Sequence, residues 1–147
     1  MSHYPSPKIY IQAWDLYYRA FRFGWLARLW FRLTWRCTDL LHLSTASLQG
    51  TTVQQTAVIN LETIHGTENR LGDFDCAFRP LRDVNADRWI AVAAARLQGK
   101  DLPPVELIQL DGEYYVRDGH HRISVARAMG ERYIDAVVMT PVQRLLR

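Results

Sequence analysis

From Lys8 to Leu41 no proline interrupts the chain, and large apolar residues recur at helical intervals. The pattern predicts one long helix, or two helices hinged near Gly24. The period is then lost. Residues 42–57 carry Ser44, Thr45, Ser47, Gln49, Gly50, Thr51, Thr52, Gln54, Gln55 and Thr56, the composition of a polar linker. Val58 opens the body of the protein. Val58–Ile64 alternates well enough for a strand, and His65–Asp75 holds two glycines in a shaped loop. Asn85 stands where an N-cap belongs, ahead of a predicted helix over 86–98 that Gly99 stops. Trp89, Ile90, Ala93, Ala94 and Leu97 give that helix its apolar stripe. Pro103-Pro104 forces extended chain. Val105–Leu110 and Glu113–Arg117 flank Asp111-Gly112, a two-residue hairpin signal. Asp118–Gly130 follows as a tight turn at Gly119 and a short helix closed at Gly130. Tyr133–Met139 reads as a last strand, ended by Pro141. The expected fold class is α+β, a compact mixed sheet with flanking helices. The expected division is a helical arm over 1–41, a linker over 42–57 and a domain over 58–147.

Charge refines this picture in one place. The 147 residues carry a formal net charge of +3. Residues 1–41 hold six basic and two acidic side chains, whereas the rest holds twelve basic and thirteen acidic. The body is therefore no general surface for polyanions, and nucleic acid ranks low among its partners. In the arm, Arg19, Arg22, Arg28, Arg32 and Arg36 fall on one half of a helix otherwise filled with Trp, Tyr and Phe. The arginines exclude a membrane span. Three readings of residues 8–41 stand: packing on its own domain or on a second copy, contact with a membrane surface, and binding of nucleic acid or another partner. Cys37 and Cys76 form neither a disulfide pattern nor a CxxC metal motif, and Met1–Pro7 has no secretory character. A cytoplasmic setting is the simplest expectation, with peripheral membrane contact the option the arm leaves open.

The candidate chemistry gathers in Asp118-Gly119-His120-His121-Arg122. A helix N-terminus offers unpaired N–H groups and the positive end of a dipole, and an arginine there can fork onto phosphate. Arg122 is the leading phosphate ligand, Gly119 lets backbone approach, and Ser124 can donate from the second turn. Asp118 can cap the helix, hold magnesium or act as a base. His120 is expected to face a ligand, and His121 shares a face with Val125 and Ala128. Adjacent histidines lack the spacing of a helical metal pair, so zinc is not expected. Upstream, Arg70 can approach the same ligand, and Asp73 and Asp75 flank Phe74. Arg127, in mid-helix, reads as a surface residue.

The order of these elements and the Gly119–Arg122 turn, with Gly130 closing its helix, together resemble the ParB N-terminal domain and its sulfiredoxin-like superfamily. The upstream box from Ile64 to Arg70 with Asp73-Phe74-Asp75, and the proline-led entry Leu102–Leu107, resemble the same family. The resemblance spans about residues 58–140. It implies a nucleotide (ATP, ADP or CTP, with Mg²⁺, and no haem) held by Gly119, His120, His121 and Arg122, with Arg70 in the same region. Sulfiredoxin has a catalytic cysteine in this turn. Here His120 stands in its place, so sulfinic-acid repair is not expected. The Asp-Gly-His-His-Arg wording is most similar to the branch that includes free serine kinases, which implies phosphoryl transfer with Asp118, His120 and an upstream glutamate, Glu68 or Glu62. The expectation is thus a nucleotide-binding domain, either a phosphotransferase or a nucleotide hydrolase. The alternatives are a non-enzymatic regulatory or self-association module and a ParB-like DNA-binding protein.

Overall fold

The computed structural model describes residues 5–34, 41–43 and 50–142, with the side chains of 22–25, 27, 28 and 31 left aside. The first element is one helix, α1 (Pro7–Thr34), continuous through Gly24. The predicted helical residues 35–40 lie outside the described ones. Two helices follow, α2 (Ala86–Leu97) and α3 (His120–Ala128). Six strands form one mixed sheet: β1 (Leu41–His42), β2 (Thr52–Asn60), β3 (Ile64–Thr67), β4 (Val105–Leu110), β5 (Glu113–Asp118) and β6 (Tyr133–Pro141). Their order across the sheet is β1-β3-β5-β4-β6-β2. The architecture is α+β, a mixed sheet flanked by helices.

The local signals act where they are found. Asp111 and Gly112 both take positive φ, 52° and 82°, which matches the twist of the β4–β5 hairpin they join. Asn85 precedes α2, but its side chain caps nothing. The polar stretch is where the pattern misleads. Thr52–Ala57 are not linker: they form most of β2, which pairs antiparallel along all of β6. β2 is an edge strand, and residues 52–56 are exposed on both faces. No apolar alternation is needed there, while β-branched Thr and Val still suit a strand. β6 also runs on to Pro141 instead of stopping before it.

The sheet has two unequal faces. Ile64, Val105, Leu107, Val116, Ala136 and Val138 turn towards α2 and α3 and form the main core with Trp89, Ile123 and Phe74. Ile108 and Met139 turn the other way, onto Leu43. Among the described side chains, those of α1 that join the main core lie between Ile9 and Phe21. Ala13 and Tyr17 are buried; the Tyr17 ring packs edge-on against Trp89 at 5.5 Å, and its hydroxyl donates to Asp83 at 2.8 Å. Beyond Phe21, the described residues Leu26, Leu29, Trp30 and Leu33 are all exposed. Among the described residues, no helix is long and apolar enough to cross a membrane.

Candidate functional site

The Gly119 turn joins β5 to α3. Gly119 takes φ 102°, and a Cβ there would meet Val105 at 2.5 Å. The close approach this glycine permits is thus to β4. Arg122 turns back along the same path. Its Nη1 donates to the carbonyls of Pro103 and Pro104 at 2.6 and 2.9 Å, and its Nη2 to Asp118 at 2.8 Å. The proline-led segment and the turn are fastened together by this one guanidinium. Asp118 is exposed and carries that ion pair. Glu106 on β4 is its cross-strand partner, and among the described residues no group of three potential metal ligands occurs.

The two histidines point inward. His120 is 4% exposed and its Nε2 lies 2.7 Å from the Thr67 hydroxyl. His121 is 8% exposed, and neither of its ring nitrogens has a hydrogen-bond partner. Phe74 closes over both, stacked on His120 at 6.1 Å and edge-on to His121 at 5.4 Å. Burial, and after it the positive charge of Arg70, push both imidazoles down to about 4. Arg88, in the first turn of α2, adds to the effect on His121, and Asp73 opposes it. Arg70 itself lies 3.5 Å from Asp73. Both rings are therefore neutral at pH 7, in a positive field at the open end of a helix dipole.

The remaining predicted residues are engaged elsewhere. Ser124 is buried and accepts from the Trp89 indole at 2.8 Å, which ties α3 to α2. Glu68 holds Arg117 through both oxygens, at 2.9 and 3.3 Å. Glu62 is exposed in the 3₁₀ turn Leu61–Thr63. Asp75 is 1% exposed: one oxygen accepts from the Ala77 and Arg79 amides at 2.9 Å each, while the other has no hydrogen-bond partner. Arg127 is not the surface residue expected. It is half-buried, lies 5.4 Å over the Phe78 ring, and donates to the Leu61 and Ile64 carbonyls. The structure places Arg70 near enough to both histidines to act on them electrostatically. Sequence reasoning missed Arg88, Thr67 and Arg127.

No family model matches the chain, and no curated protein matches it. Among solved structures the chain is similar to sulfiredoxin from Arabidopsis thaliana, at 23% identity and a TM-score of 0.41, over 57% of this chain and 83% of that one.

Proposed function

We propose that the chain is a phosphate-binding domain of ParB/sulfiredoxin type, which takes the phosphates of a nucleotide at the first turn of α3. The observation that carries this reading is His121. A buried imidazole with both nitrogens unpartnered is costly to leave so, and such groups mark sites of ligand or water. Two guanidinium groups, Arg70 and Arg88, bear on this ring. An anion here would accept from His121 and Arg70 and from the free N–H groups of the helix end. The motif order in the sequence supports the same reading. Entry requires Phe74 and the 68–75 loop to move aside. Binding is favoured over catalysis, because the acidic candidates Asp118 and Glu68 are each held by an arginine. Thermal unfolding with ATP, ADP and CTP, with and without Mg²⁺, tests it. A nucleotide at about ten times its Kd is expected to raise Tm by about 3–6 °C. Wild type unmoved at millimolar concentrations of all three would sink the reading.

A second reading attaches to α1. Leu26, Leu29, Trp30 and Leu33 follow the i, i+3, i+4, i+7 spacing of a helix-packing seam, and all four are exposed. A second copy of the chain is the occupant that this self-complementary seam suits. Light scattering on the full chain should give a dimer that Leu29→Glu with Leu33→Glu dissociates; a monomer in the wild type at high micromolar concentration rejects it.

A further inference from the structure

We infer that a second anion-binding site lies in the cleft between α1, the outer face of α3 and the 77–79 loop, and that it takes a small organic anion with an aromatic or apolar body, through Arg79 and Arg127. The cleft measures about 790 Å³, within the size range of small-molecule sites. It is separate from the first turn of α3: Phe74 covers the histidines, Phe78 packs on Phe74 at 6.4 Å, and Arg127 lies on Phe78.

Arg79 and Arg127 line the cleft, and each guanidinium carries one buried nitrogen without a hydrogen-bond partner. The Nε of Arg127 is buried and has no hydrogen-bond partner. Among the described residues no carboxylate forms an ion pair with Arg127; backbone carbonyls and a ring face hold it instead. The Nη1 of Arg79 is likewise buried without a hydrogen bond, 3.8 Å from Asp75. Arginine does not shed its proton to escape such a place, so the charge stays and favours a counter-ion. Burial acts on Arg127 in the expected direction and lowers its pKa.

The loop is built to present these groups. The buried Asp75 carboxylate fixes the Ala77 and Arg79 amides. Between them Phe78 sits at φ 58°, a conformation that a bulky residue adopts only when its surroundings impose it. That bend sends the Phe78 ring beneath Arg127 and turns Arg79 to the cleft. Of the other charges on the walls, Arg19 is paired with Asp15 and Glu131 with Arg96. Arg132 and Glu62 also line the cleft, and Glu62, with Asp75, acts electrostatically on Arg127 against the effect of burial. Leu16, Ala20, Phe78 and Tyr133 supply apolar and aromatic surface for the ligand body.

Phenyl phosphate, benzoate and benzyl alcohol serve as probes, titrated calorimetrically into the full chain. Saturable binding of phenyl phosphate or benzoate is expected, at least tenfold tighter than benzyl alcohol; which anion binds identifies the headgroup as a phosphate ester or a carboxylate. Arg79→Ala should weaken it at least tenfold. Arg127→Lys, which keeps the charge without the fork, should weaken it severalfold and guards against a failure of Arg127→Ala to fold. Arg70→Ala should leave it unchanged, which separates this cleft from the nucleotide reading. Absence of anion binding at millimolar probe, equal binding of benzyl alcohol, or binding indifferent to Arg79→Ala in a folded variant would overturn the inference.

Discussion

The first and third turns of α3 each carry an arginine, and the two differ in what surrounds them. Arg122 belongs to the motif that drew the eye. Its donors are engaged by two proline carbonyls and Asp118. Arg127 belongs to no motif. It is half-buried, held by backbone carbonyls, and among the described residues has a buried donor without a hydrogen-bond partner. The same contrast runs through the first turn itself: Gly119, Arg122 and Asp118 face the strand side and fasten the turn, whereas the histidines face inward, where His121 is unsatisfied. A motif residue can thus be structural while a neighbour keeps unused hydrogen-bonding capacity. What decides is where each side chain's hydrogen bonds go.

The largest expected effect concerns the buried histidines and acid. Each ring takes up its proton near pH 6.5 when unfolded, but only at about pH 4 when folded. Stability is therefore full above pH 6.5 and is lost as pH falls towards 4, by up to about 3 kcal/mol for one ring and more for both. Asp75, raised by burial, moves stability the opposite way, so the comparison of variants decides. Urea unfolding at pH 7 and pH 4.5 should show a steep loss in the wild type and a shallower one in His121→Leu. Identical slopes would mean that His121 titrates normally, and the sealed inner face of the turn would be a wrong description.

Next in size is Gly119→Ala. The added Cβ would meet Val105 at 2.5 Å at φ 102°. Both the clash with packed core and the left-handed backbone contribute, and a loss of about 3 kcal/mol is expected in chemical denaturation. A loss below about 1 kcal/mol would show that the turn can draw away from β4 and is looser than its packing suggests. Arg122→Ala follows at about 2 kcal/mol, since two carbonyls and a carboxylate lose their donor. The Tm rise with nucleotide should persist in this variant, measured from its own lowered baseline. Its disappearance in a folded Arg122→Ala protein would restore the motif arginine as a ligand.

These contrasts also mark what was legible in the sequence. The β4–β5 hairpin, α2 and α3 were readable because their signals are local: Asp111-Gly112, the Trp89–Leu97 stripe and the Gly119 and Gly130 punctuation. β2 was not, because Thr52–Thr56 are exposed on both faces of an edge strand, and its partner lies some eighty residues away. For the site, the residue types of one turn suggested phosphate, and the upstream box suggested Arg70 as a second contact. It could not tell that Arg122 would meet the Pro103 and Pro104 carbonyls, or that Leu61 and Phe78 would bury Arg127. Those are facts of long-range packing. A side chain's chemical type is written in the sequence; whether its donors are already engaged is set by residues far along the chain.

Arg70→Ala is expected to have the smallest effect on stability and the clearest effect on binding. The Arg70 side chain is 34% exposed, and its recorded ion pair is the 3.5 Å contact with Asp73. Exposed pairs of this kind contribute little, so ΔG of unfolding should change by less than about 0.5 kcal/mol. Removing the guanidinium also relieves the field that lowers both imidazoles, so their pKa values should rise from about 4 towards 6.5, an effect readable by NMR titration. Nucleotide-dependent stabilisation should fall at least tenfold in apparent affinity, because the anion loses one of the two guanidinium groups that act on His121. A structural role alone would leave that response intact. Unchanged nucleotide binding with shifted imidazole pKa values would therefore place Arg70 beside the histidines electrostatically, and place the ligand somewhere else.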